Sequence, residues 1–239
     1  MELIDFLYYI IPINTIELLA AVCGTYYLKK APRLRSTKLL VYFLWFTLFV
    51  ELIGSYASIG YFSNYTYFSF VLDTPFKDNY WWYNSYGVLS YSFYALYFRS
   101  FVRNKLWRGL LKYLVILFVL SSSLIYVFTD VYFNSTSQFV SITGTLIIFL
   151  SIMAFYFELL RSDKLLKLKL FLPFYISVGI LVFNLCITPV DLFSEYFNIS
   201  SGNELFVNLH IKIMLYANIF MYFTYSLGFI VCSRKKKFS

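Results

Sequence analysis

Two glutamates in apolar surroundings are the side chains of this sequence best placed to do chemistry. Glu17 and Glu51 each lie well inside a long apolar stretch. Each is about twelve residues from the start of its stretch, a depth of about 18 Å in a helix, which is near the midplane of a bilayer core about 30 Å thick. An ionisable side chain at that depth is costly and is therefore a functional candidate.

The surroundings of the two glutamates predict that they approach each other. Their stretches are adjacent in the chain and joined by a short connection, so we expect two antiparallel helices. Each glutamate shares a helical face with small or polar residues, which favours the interior of a bundle over lipid. Since two neighbouring carboxylates in hydrocarbon cannot both ionise cheaply, at least one should be protonated at neutral pH. The two faces are Asn14, Glu17, Ala21 and Gly24, and Thr47, Glu51, Gly54, Ser55 and Ser58.

The sequence leaves three roles open for this pair of glutamates. The two carboxyl groups could share a proton or hold a cation, as part of a ligand- or ion-binding site. They could instead join helices through hydrogen bonds to Ser, Thr or Tyr. Acid–base catalysis is the least favoured of the three, because no nucleophile or metal site accompanies the carboxylates.

Further polar residues inside apolar stretches complete the predicted ligand- or ion-binding set. We expect them either to line a cavity open to the outside or to make ordinary hydrogen bonds between helices. Lys212, near the outer end of the last stretch, should extend to water or pair with Asp191. The third stretch adds a polar face with Asn84, Gly87, Tyr91 and Tyr94. The further binding candidates are Asn14, Asn184, Asp191, Lys212 and Asn218.

The sequence predicts no catalytic residue, no metal site and no cofactor, and it favours a protein that is not an enzyme. A zinc site needs several His, Cys or carboxylate ligands, and His210 is the only histidine of the chain. The three cysteines, Cys23, Cys186 and Cys232, are isolated from one another in the sequence. There is no nucleophile elbow, phosphate-binding loop or dinucleotide fingerprint.

The elements that must hold these residues are membrane-spanning helices. Of the 239 residues, 60% are hydrophobic and only 13% are charged, a composition typical of a multi-pass membrane protein. We expect one all-α integral membrane domain over residues 1–239, a seven-transmembrane-helix bundle with no soluble domain. The apolar runs are long enough to cross a bilayer, and they fall at about 5–28, 39–62, 80–98, 110–128, 138–159, 170–192 and 207–232.

The basic residues predict the orientation of the bundle. The net charge is +8, and 18 of the 20 Lys and Arg lie in four clusters that follow alternate apolar stretches or end the chain. Short connections that hold cations lie on the cytoplasmic side, so we expect the N-terminus outside and the C-terminus inside. This placement favours contact with the lipid bilayer over binding to nucleic acid. The clusters lie within 29–38, 99–112, 161–169 and 234–237.

Together these features favour a small-ligand receptor or sensor in a membrane, with a bacterial cytoplasmic (inner) membrane as the expected location. It would have no output domain of its own and would reach a signalling partner through the basic inner connections. An ion- or proton-coupled transporter using Glu17 and Glu51 is the first alternative, although nine Gly and five Pro leave few positions for the discontinuous helices of carriers. A structural subunit of a membrane complex and a lipid-active enzyme are the others.

Overall fold

The computed structural model describes residues 3–30, 34–194 and 204–233. Within those ranges the chain is helical and contains no strand, as the composition predicts. Short 3₁₀ turns occur at Ser69–Val71 and Asp163–Leu170. The helices are α1 (Leu3–Lys30), α2 (Arg35–Gly54), α3 (Tyr56–Phe62), α4 (Tyr80–Arg99), α5 (Lys105–Phe128), α6 (Val131–Asn134), α7 (Gln138–Leu160), α8 (Leu172–Ser194) and α9 (Glu204–Ser233).

Six helical segments in the described ranges are long and apolar enough to cross a bilayer. The protein is therefore a multi-pass α-helical membrane protein. Only a short turn at Ser55 separates α2 from α3, and the two form one such segment. The six segments are Phe6–Lys30, Arg35–Phe62, Lys105–Phe128, Gln138–Leu160, Leu172–Phe193 and Leu205–Ser233.

The remaining predicted span, 80–98, also coincides with a helix, α4. This helix is less apolar than the other six because Tyr and Ser recur along it, and it is not among the segments that qualify as spans by length and composition. The structure thus supports six of the predicted spans, and the seventh stays a prediction.

The helices form two compact units. The first unit comprises residues 1–46 and 156–239, and holds α1, the start of α2, the end of α7, α8 and α9. The second unit comprises residues 47–155, and holds the end of α2, then α3 to α6 and most of α7. Glu17 belongs to the first unit and Glu51 to the second.

In the first unit, α1 packs against α9 in parallel. A Cβ added to Gly24 would lie only 3.2 Å from the ring of Phe229, so the two backbones approach closely at this point. Three residues further along each helix, Tyr27 lies near Cys232. Because both contacts advance together along the chain, α1 and α9 run in the same direction.

The contact between α8 and α9 in the first unit is antiparallel. A Cβ added to Gly179 would lie 2.7 Å from the ring of Tyr225, and one added to Gly228 would lie 2.6 Å from Cβ of Tyr175. The residue number on α9 rises from 225 to 228 as the number on α8 falls from 179 to 175. Glycine is required at both positions because a neighbouring side chain occupies the space of a methyl group.

In the second unit, α4 packs antiparallel to the end of α2 through a series of hydrogen bonds. From the first bond to the last, the partner number falls from 86 to 79 while the α2 number rises from 47 to 54, which fixes the direction of the two helices. Tyr83, Tyr86 and Trp82 of α4 thereby find partners on α2 for their polar atoms, which helps a helix rich in Tyr to pack against an apolar one. The bonds join Thr47 to Tyr86 (2.8 Å), Val50 to Trp82 (2.9 Å), Glu51 to Tyr83 (2.8 Å) and Gly54 to Asn79 (2.8 Å).

Candidate functional site

Glu17 is buried inside the first unit, at the level of a tyrosine on α9. Its residue is only 2% exposed, and Ala20 and Ala21 beside it are fully buried. Glu17 lies seven residues before Gly24, and Tyr222 lies seven residues before Phe229, the partner of Gly24. Seven residues are about two helical turns, so Glu17 and Tyr222 occupy the same level of the parallel α1 and α9 helices.

Two asparagines on α8 and α9 lie about one helical turn from the level of Glu17 and Tyr222. Asp191 on α8 and His210 on α9 mark a contact point, with Oδ1 and Nε2 3.8 Å apart. Asn184 lies seven residues before Asp191, and Asn218 lies eight residues after His210. Since α8 and α9 are antiparallel, these two asparagines differ in height by only about one residue, or about 1.5 Å.

The two asparagine amides are oriented by their own helices. Nδ2 of Asn184 donates to the carbonyl oxygen of Ile180 at 2.8 Å, and Nδ2 of Asn218 donates to that of Met214 at 2.9 Å. Both bonds reach four residues back, as polar side chains within helices often do. They use a donor of each amide, so the side-chain oxygens supply the acceptors at this level.

Asn14 adds another acceptor on α1, close to one turn before Glu17. Its Oδ1 is buried and has no hydrogen-bond donor among the residues that the structure describes. A buried acceptor without a donor costs about 1–3 kcal/mol, which makes this atom suited to bind a donor from a ligand or from water. We call the resulting set the polar layer, which consists of Asn14, Glu17, Asn184, Asn218 and Tyr222.

The other predicted binding residues of the first unit lie nearer the ends of α8 and α9 that the connection 195–203 joins. Asp191 faces His210 across the contact between α8 and α9. Lys212 is exposed. His210 and Lys212 are two residues apart on a helix, about 200° around its axis, so the face that presents His210 to Asp191 turns Lys212 away.

Glu51 has a different environment, in the second unit. The hydroxyl of Tyr83 donates to Oε2 of Glu51 at 2.8 Å. A Cβ added to Gly54 would lie 2.5 Å from the same hydroxyl oxygen, so the glycine makes room for the tyrosine that reaches the carboxyl group. Because Glu17 belongs to the other unit, the approach of Glu17 to Glu51 stays a prediction.

Asn84 has a role that its sequence position does not reveal. Its residue is 4% exposed, and its Nδ2 lies within bonding distance of the carbonyl oxygens of Val131 (3.3 Å), Tyr132 (3.1 Å) and Ser135 (2.8 Å). Its Oδ1 accepts from the backbone N–H of Ser137 at 3.2 Å. One side chain thus holds the connection between α5 and α7 against α4. The polar face of the third stretch indicates that Asn84 is inward-facing, but not which segment it binds.

No protein-family model, curated protein or solved structure matches this chain. Among the described residues, no three His, Cys, Asp or Glu side chains gather where they could hold a metal ion.

Proposed function

We propose that this protein is a membrane receptor that binds a small polar ligand in the polar layer of α1, α8 and α9. The observation that carries the proposal is the burial of Glu17, whose residue is only 2% exposed. Polar and ionisable groups inside membrane helices are costly and commonly mark ligand or ion sites. The carboxyl group and the amide oxygens about one helical turn away favour a ligand that offers hydrogen-bond donors, since acceptors predominate in the polar layer.

The proposed topology has seven spans with the N-terminus outside. In it, α4 is the third span, supported by its length and by the hydrogen bonds of Tyr83 and Tyr86 to α2. The alternation of basic and non-basic connections supports the orientation. The connection 195–203 then lies outside, and a ligand would reach the polar layer from the ends of α8 and α9 near Asp191 and His210.

The signalling output is proposed to pass through the basic inner connections to a separate protein in a bacterial cytoplasmic membrane. The chain offers clusters of Lys and Arg there, and those in 29–38 and 161–169 would contact the partner. A receptor of this kind changes the packing of its helices when it binds ligand, and the partner responds to the position of the inner ends.

An ion- or proton-coupled carrier is the second candidate, and one observation favours it. The helix that holds Glu51 is interrupted by a turn at Ser55, four residues further on. Carriers place interrupted helices beside their ion sites. Against this, α1 and α8 continue without a break past Pro12 and Pro189, which favours the receptor.

The experiment that separates the two functions uses the purified full chain. Amino acids, small amines and sugars are screened by thermal shift in detergent, and a stabilising compound is then radiolabelled and tested in liposomes. A receptor should bind the compound saturably and give no counterflow. Counterflow that disappears in Glu17→Gln would establish the carrier instead. If no compound from these classes, nor a proton or Na⁺ gradient, acts on the protein in either assay, the polar layer is a structural contact and the proposal fails.

A further inference from the structure

A strongly basic turn joins α4 to α5 in the second unit. Residues 99–112 contain five cationic side chains and no Asp or Glu. The range ends within the first turns of α5 (Lys105–Phe128), one of the segments able to cross a bilayer. The charges therefore lie where a spanning helix meets the surface of the membrane. They are Arg99, Arg103, Lys105, Arg108 and Lys112.

The local structure of the turn brings two of these arginines together. Oδ1 of Asn104 accepts from the backbone N–H of Leu106 at 2.9 Å and caps the start of α5. Nε of Arg99 donates to the carbonyl oxygen of Arg108 at 2.7 Å. The guanidinium group of Arg99 is thereby held against the first turn of α5, at the backbone of Arg108.

Three cations share one face of α5. Lys105, Arg108 and Lys112 are spaced three and four residues apart, and side chains at this spacing lie above one another on a helix. The side chains of Lys105, Arg108 and Lys112 are all exposed. With Arg99, they form a cationic stripe that has no acidic residue within its own segment.

Large apolar side chains stand next to this stripe. Leu106 is 84% exposed, and Trp107 and Leu110 are also exposed. A protein surface that combines cations with exposed Leu and Trp at the end of a membrane helix matches the boundary between headgroups and acyl chains. A nucleic acid or an acidic protein would complement the charges but would leave the apolar side chains in water.

We propose that the cationic stripe of Arg99, Lys105, Arg108 and Lys112 binds the phosphate headgroups of anionic phospholipids. Leu106 and Trp107 lie at the adjacent acyl boundary and hold the stripe at headgroup depth. Arginine and lysine near an anionic leaflet gain electrostatic attraction that a zwitterionic leaflet does not provide, so the site prefers anionic over neutral lipid. It is separate from the polar layer and does not depend on the proposed ligand.

The test measures lipid binding to the purified, delipidated full chain by native mass spectrometry. Phosphatidylglycerol and phosphatidylcholine of the same acyl composition are titrated against wild type and against the double variant Lys105→Gln, Arg108→Gln. Both side chains are exposed, so the variant should fold. The matched control, Lys105→Arg with Arg108→Lys, keeps both charges, and Lys77→Gln removes a cation elsewhere.

We expect wild type to bind phosphatidylglycerol more tightly than phosphatidylcholine, and the double variant to lose about tenfold or more of the affinity for phosphatidylglycerol. The two controls should stay close to wild type. Equal binding of the two lipids by wild type, or an unchanged preference in the double variant, would overturn the proposal. Complete displacement of the lipid by millimolar inorganic phosphate would show a site for a soluble anion and would overturn it as well.

Discussion

The hydroxyl of Tyr83 on α4 donates a 2.8 Å hydrogen bond to Oε2 of Glu51 on α2. This contact joins the most polar long helix of the second unit to one of its few carboxyl groups. The close approach of the Tyr83 hydroxyl to Gly54 shows that the space for it is provided by the absence of a side chain. The bond therefore serves both as a helix contact and as the solvation of a partly buried carboxyl group.

Removing the Tyr83 hydroxyl should destabilise the protein. In Tyr83→Phe the ring can still pack, but Glu51 loses a donor, which should cost about 1–2 kcal/mol of unfolding free energy. The matched control is Tyr80→Phe, since Tyr80 is exposed on the same helix. Unfolding in mixed micelles with rising SDS measures both. Equal stability of the two variants would show that the hydrogen bond contributes nothing.

The sequence predicts the positions of the helices well, for a physical reason. A span must hold about 20 apolar residues in a row, and each predicted span coincides with a helix in the described residues. The hydrogen-bond partners of the polar side chains are not predicted by this pattern. That Glu51 bonds Tyr83, and that Asp191 faces His210 rather than Lys212, depends on which helices are neighbours and how each is rotated. Neither quantity is encoded in the hydrophobic pattern of one helix.

Two glycines should respond in opposite directions to the same substitution. A Cβ added to Gly144 would overlap the ring of Tyr91, whereas one added to Gly109 would have no atom within 4 Å. Gly144→Ala should therefore destabilise by about 1–3 kcal/mol through overpacking. Gly109→Ala should be neutral or stabilise by up to about 1 kcal/mol through helix propensity. Thermal unfolding in detergent compares them, and the same sign for both would contradict the packing of α7 against α4.

Asn84 should be essential for holding the connection between α5 and α7. Asn84→Ala removes both the donor and the acceptor that bind this segment, so the loss should be about 2–4 kcal/mol. Limited proteolysis should then cut within residues 129–137 faster than in wild type. Asn134→Ala provides the control, because Asn134 is an exposed asparagine of the same segment. Identical cleavage in the two variants would refute the role of Asn84.

The proposed orientation predicts opposite labelling of two engineered cysteines in a chain whose three native cysteines are replaced. An impermeant thiol reagent should label Asp73→Cys in intact cells and Ser36→Cys only after the membrane is permeabilised. The reason is that Ser36 belongs to the first basic cluster, while Asp73 lies in a connection without such a cluster. Labelling of Ser36→Cys in intact cells would reverse the orientation.

The most direct test of the central proposal is the affinity of Glu17→Gln for a small polar ligand found in the thermal-shift screen. Glutamine keeps the size of the side chain and its capacity for hydrogen bonds but not the carboxylate, so the fold should survive while binding weakens by at least about tenfold. The control, Asp130→Asn, changes an exposed carboxyl group and should bind like wild type. Isothermal titration calorimetry on the three purified proteins gives the answer: weakened binding in Glu17→Gln alone is the predicted result, and equal affinity in all three would contradict a ligand site at the polar layer.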